Sequence, residues 1–177
     1  MVQLRDKQLE ARRLLELARP LAALCRERGV PFIVNDRPDL ALEVEADGVH
    51  VGQDDAPPSL ARRILGDGAI VGLSTHAPNE LASALDEPVD YISAGPVSPT
   101  PTKPGRQGTG LGYLTEAALA CAGHDDLPFF VTGGVTPETV PAMVAAGARR
   151  FVVVRYLTEA ADPAAAAQRL CEAIDRG

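Results

Sequence analysis

A chain of 177 residues is the length of one domain against a norm of roughly 150, and a domain of that size hides about 70% of the surface its unfolded chain exposes. With 46% apolar and 23% charged residues the composition is ordinary for a globular protein, which excludes disorder, collagen and coiled coil. A formal charge of −7, from 24 acids and 17 bases, excludes a broad nucleic-acid surface, because such surfaces need clustered Lys and Arg to displace counterions.

Short β-rich runs alternate with helical stretches along the chain. The predicted strands are Val2–Leu4, Phe32–Asn35, Gly48–Val51, Ile70–Ser74, Asp90–Ala94, Phe129–Thr132 and Phe151–Arg155. The predicted helices are Gln8–Arg28, Pro38–Glu45, Pro58–Leu65, Pro78–Leu85, Tyr113–Ala122, Pro137–Ala146 and Pro163–Asp175. Proline near the first turn of five of these helices suits helix starts, and Gly29 and Gly147 fall where helices should end. The strands are apolar on both faces, as in a parallel sheet covered by helices.

Seven strand–helix units in succession point to a barrel or a doubly wound sheet. The chain lacks the Gly-x-Gly-x-x-Gly of a dinucleotide-binding fold. Polar residues gather after the strand ends, at Arg5, Asp36, Asp55, Ser74, Lys103, Gly134 and Arg155. A barrel collects all those ends around one mouth, whereas an open sheet spreads them out. The expected fold is therefore a TIM-type (β/α) barrel in one domain, residues 1–177, with seven of eight units present.

No apolar run approaches the roughly 18 residues of a membrane span, and Met1 is not followed by a signal core. We expect a cytoplasmic protein with no membrane partner. Cys25, Cys121 and Cys171 are odd in number and widely spaced, so we expect reduced, mostly buried thiols. The chain has 15 Arg but only two Lys, Lys7 and Lys103, which draws attention to both positions.

Five clusters carry candidate chemistry. In Gln3-Leu4-Arg5-Asp6-Lys7, strand alternation sends Gln3 and Arg5 to one face, although a solvated chain start reads the same way. Asp36, after Asn35, suits a hard divalent cation, and an N-cap explains the pair equally well. Gly52-Gln53-Asp54-Asp55 places a second acidic pair one strand later, while His50 reads as a satisfied core histidine. Ser74 and Thr75 offer hydroxyls or cap the next helix. Gly95 to Arg106 is a long Pro- and Thr-rich loop, and loops of that length in a compact fold are usually functional. Thr132-Gly133-Gly134, with Val154-Arg155 one strand later, fits the phosphate site that barrels build after their last two strands.

Taken in order, these motifs resemble the thiamine phosphate synthase family, and the Pro-Thr-Lys-Pro-Gly-Arg loop at 101–106 is close to diagnostic of it. The resemblance implies a transferase that joins hydroxymethylpyrimidine diphosphate to a thiazole phosphate, plain or carboxylated. It yields thiamine monophosphate and pyrophosphate through a pyrimidine carbocation. It assigns Gln3, Arg5, Lys7, Asn35, Ser74 and Lys103 to the pyrimidine diphosphate, with Arg5, Ser74 and Lys103 nearest the chemistry. Mg²⁺ is implied as cofactor on Asp36 and Asp55, and the thiazole phosphate falls to Thr100, Thr102, Gly134, Val154 and Arg155.

The family has a strand and helix ahead of the first strand here, so we expect Met1 to be an internal start of a longer natural protein. The edges left open invite association into a homo-oligomer. Arg155 stands where some members carry serine and others Arg. Two other readings remain open. One is the thiazole tautomerase paralogue, which carries histidine where this chain has Pro96. The other is a truncated, non-catalytic barrel that only binds phosphates.

Overall fold

The computed structural model describes residues 1–101, 105, 107–125 and 127–176. They form two compact units, one of Met1–Ser74 with Asp86–Asp90, the other of Thr75–Leu85 with Tyr91–Gly177.

The first unit runs β1 (Val2–Leu4), α1 (Ala11–Glu27), β2 (Phe32–Asn35), α2 (Pro38–Glu43), β3 (Gly48–Val51), α3 (Pro58–Leu65) and β4 (Ile70–Thr75), the last residue of β4 falling in the second unit. The strands are parallel and neighbours in sequence order, with Gln3 opposite Ile33, Val34 opposite Val49 and His50 opposite Gly72. Every residue of β2 and β3 is buried, which is why these runs carry no polar alternation. Helix α1 turns Leu14, Ala18, Ala22 and Cys25 inward at helical spacing. It ends as Gly29 predicted: with φ at +61°, Gly29 lets its own amide reach Arg26 O and the Val30 amide reach Cys25 O at 2.9 Å.

Carboxylates fasten the strand starts. Asp47, just before β3, accepts the Phe32 amide at 2.7 Å, and Asp90 accepts the Val71 amide at 2.7 Å and Arg62 at 2.8 Å. The strands approach so closely here that a Cβ on Gly48 would lie 1.9 Å from Ile70 O.

The second unit holds α4 (Pro78–Leu85), β5 (Tyr91–Ala94), α5 (Gly110–Ala122), β6 (Phe129–Val131), α6 (Val140–Ala145), α7 (Arg155–Thr158) and α8 (Pro163–Asp175). β5 and β6 pair in parallel, Ser93 opposite Phe130. Ile92, Leu114, Val131, Val140 and Met143 fill its core. Asp162 caps α8 by accepting the Ala165 amide at 3.0 Å.

The fold is α/β with six parallel strands, which corrects the expected seven. The run Phe151–Arg155 is not a strand: it contributes one bridge, Phe151 to Val131, and enters α7 at Arg155. Its β-branched residues promise a strand, but β6 has ended. Beyond it Gly133 and Gly134 take φ of +91° and +74°, conformations that offer no extended edge to pair with. At the other end, β1 has β2 as its one strand partner among the described residues, so no ladder closes on it and the expected barrel is not closed. Cys25 and Cys121 are buried free thiols and Cys171 is an exposed one. Among the described residues no helix is long and apolar enough to cross a membrane.

Replacing Gly48 with Ala should lower the urea midpoint by an amount corresponding to about 1–3 kcal/mol, because the added methyl meets backbone that cannot swing aside. An unchanged midpoint would show that β3 and β4 can separate there.

Candidate functional site

In the first unit the strand ends place three charges in one group. The Asp36 amide donates to His50 O at 2.8 Å, which holds Asp36 at φ +64° directly after β2. Its carboxylate meets Lys7 Nζ at 2.8 Å on one side and the Asp55 carboxyl on the other. Asp55 lies over the turn after β3, where its Oδ2 accepts the Gly52 amide at 2.9 Å. A Cβ on Gly52 would sit 2.8 Å from that oxygen, so glycine leaves the Asp55 carboxylate room to reach the amide.

Burial, opposed by the Lys7 hydrogen bond and reinforced by the Asp55 carboxyl, holds Asp36 above its ordinary value of 3.8. Burial also works against the Asp55 charge. There the Asp36 hydrogen bond, the Gly52 amide and the field of Lys7 outweigh it, so Asp55 falls below its ordinary value. Among the described residues no group of three or more His, Cys, Asp or Glu is placed to hold a metal. Two crowded carboxylates nonetheless fit a Mg²⁺ ion completed by phosphate oxygens, since such ions take only one or two protein carboxylates.

Asn35 ends β2 in register with His50, 8% exposed. Ser74 is 4% exposed near the end of β4, its Oγ 2.8 Å from His50 Nε2, and its carbonyl accepts Gln53 Nε2 at 2.7 Å. Arg5 is half-buried just beyond β1, whereas Gln3 is exposed on β1. The capping alternatives do not hold. The N-cap of α2 is Arg37, without a side-chain bond, and the Asp36 carboxylate turns to Lys7 instead. Ser74 and Thr75 lie within β4. His50 is the bonded core histidine that the apolar alternation suggested.

In the second unit the loop after β5 is tied down at both ends. Val97 donates to Thr132 O at 2.8 Å, Thr109 to Pro96 O at 2.8 Å and Gly95 to Thr75 O at 3.2 Å, with His76 Nδ1 on Gly95 O. Thr100 is half-buried on this loop. Thr102, Lys103 and Arg106 lie outside the described residues. Gly133 packs so tightly that a Cβ would come within 2.4 Å of Pro96 Cβ. The Thr139 hydroxyl fastens the glycine loop, donating to Gly134 O at 2.7 Å and accepting the Thr136 amide at 2.9 Å. Gly134 is exposed, as are Val154 and Arg155. Val154 caps α7 and Arg155 opens it, which corrects their expected place at a strand end.

The sequence reading gave Gln53 no role, although it sits inside a motif whose Asp55 was singled out. Ser98, beside Gly134, was likewise passed over; a Cβ on Gly134 would lie 3.2 Å from Ser98 Cβ. Nothing in residue type or spacing marked either contact.

Parallel strand–helix units that put a lysine and two carboxylates at strand ends of the first unit, and a loop with two left-handed glycines after β6 of the second, have the features of an α/β enzyme. A family model described as thiamine monophosphate synthase matches residues 1–157. The thiamine-phosphate synthase of Thermus thermophilus is 49% identical, the match covering 97% of this chain and 81% of that one. That of Mycolicibacterium vanbaalenii is also 49% identical, over 96% and 79%. The solved thiamine phosphate pyrophosphorylase of Pyrococcus furiosus superposes with a TM-score of 0.87 at 29% identity, covering 98% of this chain and 82% of that one. The chain belongs to the thiamine monophosphate synthase family.

Two predictions follow from the geometry. Asp36, held above 3.8, favours the folded state when protonated, a contribution full below that value and lost as pH rises through the raised one. Asp55 has the opposite sign: its contribution is present above 3.8 and lost as pH falls through its lowered value. Asp36→Asn, a neutral isostere, should therefore raise the urea midpoint in metal-free buffer at about pH 7.5, with the gain fading by about pH 4. A variant less stable than the parent at neutral pH would reverse the assignment. Gly133→Ala should lower the urea midpoint by an amount corresponding to about 1–3 kcal/mol, because its methyl meets Pro96 and its φ is +91°; an unchanged midpoint would show that the loop can shift there.

Proposed function

We propose that the chain condenses hydroxymethylpyrimidine diphosphate with a thiazole phosphate, plain or carboxylated, to give thiamine monophosphate and pyrophosphate. The observation that carries this reading is the contact of Lys7 with Asp36 and of Asp36 with Asp55, a charge group built for a diphosphate and its counter-ion. In the relatives named above the same activity stands in the protein name.

The strand–helix succession is that of a TIM-type barrel, of which this chain supplies six units. Asp36 and Asp55 would hold Mg²⁺, which supplies positive charge to the phosphates when bound. Gln3, Arg5, Lys7, Asn35 and Lys103 would hold the diphosphate. Lys7 is already oriented by Asp36, so its ammonium is fixed before substrate arrives. The carbon–oxygen bond to pyrophosphate breaks with both electrons leaving on oxygen. The aminopyrimidine spreads the resulting positive charge, and the thiazole nitrogen closes the new bond. Ser74, buried near the end of β4, would touch the pyrimidine near that centre. Thr100, Thr102, Gly134, Val154 and Arg155 would hold the thiazole phosphate, with Thr139 steadying the glycine loop through the Gly134 carbonyl. A carboxylated thiazole would also release carbon dioxide. Substrates of this kind fit a cytoplasmic enzyme that meets neither nucleic acid nor membrane.

Thiamine monophosphate should form when the chain receives both substrates and Mg²⁺, and chelation should stop it. Asp55→Asn and Lys103→Ala should each lower kcat by about 10²–10³. A folded chain that makes no product under those conditions would overturn the reading.

A further inference from the structure

We propose that His50 is a positioning residue that sets the Ser74 hydroxyl for the pyrimidine, an assignment that rests on the synthase reading above. An imidazole is an expensive choice for the middle of a buried parallel strand. Val49 and Val51 beside it are 0% exposed and His50 is 6% exposed, where an aliphatic side chain would need no partner. Its ring is used. The residue opposite in register is Gly72, which carries no side chain, and the imidazole reaches past it to Ser74, two positions on and on the same face of β4. The Nε2–Oγ distance is 2.8 Å between two buried groups.

His50 also ties Ser74 to the charge group. Its carbonyl accepts the Asp36 amide, so one residue fixes Asp36 through its backbone and Ser74 through its side chain. Gln53, on the turn that presents Asp55, holds the Ser74 carbonyl at 2.7 Å. Ser74 is thus gripped at hydroxyl and backbone from β3 and the turn that follows it.

The test is a kinetic cycle on the full chain. His50→Leu should lower kcat by about 10–100-fold while leaving KM for the thiazole phosphate unchanged, since misplacement near 1 Å at a reacting centre costs up to about 10². His50→Gln, whose amide reaches the Nε2 position, should recover most of that loss. His50→Asn, too short to reach Ser74, should not. In a Ser74→Ala background, His50→Leu should cost nothing further. Should His50→Leu fail to fold, the Gln and Asn pair carries the comparison. Activity within twofold of the parent in His50→Asn, or a loss in the Ser74→Ala background as large as in the parent, would overturn the proposal. The imidazole ¹⁵N resonances of His50 should shift on Ser74→Ala whether or not the chain turns over, and an unmoved resonance would also overturn it. An inactive parent that shows the shift would instead sink the synthase reading and the catalytic part of His50's role, leaving the contact itself established.

Discussion

Two carboxylates that repel one another have to be held side by side at neighbouring strand ends, and much of the first unit's local structure answers to that demand. Asp36 takes a left-handed backbone conformation that a non-glycine residue seldom adopts. The His50 carbonyl on one side and the Lys7 ammonium on the other keep it there. Asp55 is bent over a turn where Gly52 leaves room for its carboxylate to take the Gly52 amide. Burial and the Asp55 carboxyl raise Asp36, while hydrogen bonds from Asp36 and the Gly52 amide lower Asp55. Such crowding is tolerated at sites that meet a cation and is seldom retained elsewhere.

The strands and helices were legible because burial dictates their composition. β2 and β3 are buried at every residue, and their mainly apolar runs, broken only by Asn35 and His50, announce it. Four helix starts were legible through proline and two of the helix ends through Gly29 and Gly147, whereas α6 starts at Val140 rather than at Pro137. The seventh strand was misread because β propensity is a property of a residue, while a strand needs a partner edge. Val152, Val153 and Val154 have the propensity, and β6 ends before it can receive them.

The site divides along the same line. Asp36, Asp55, Lys7 and Ser74 could be singled out because charge and hydroxyl groups at strand ends are visible in sequence. The contacts that orient them could not. Gln53 and His50 act on Ser74 across a gap of more than twenty residues, and their partners are set by register, which no local pattern reveals. The second unit repeats the lesson with a different force. Gly133 and Gly134 both take positive φ, the turn conformation for which glycine is suited. Gly133 has a second reason to be glycine, the ring of Pro96 against its α-carbon, and that reason is purely steric.

The first unit is not a continuous stretch of chain. Asp90 belongs to it, and its carboxylate satisfies the amide of fully buried Val71 while engaging Arg62, whose guanidinium also bonds Pro88 O. The intervening residues 75–85, helix α4 included, belong to the other unit. As the chain leaves the ribosome, the early unit therefore stays incomplete until a piece of the later one has been made. A fragment cut after Ser74 would carry a buried amide with its acceptor missing, so the two units are interleaved in the order of synthesis and neither can be released as a separate module by a single cut.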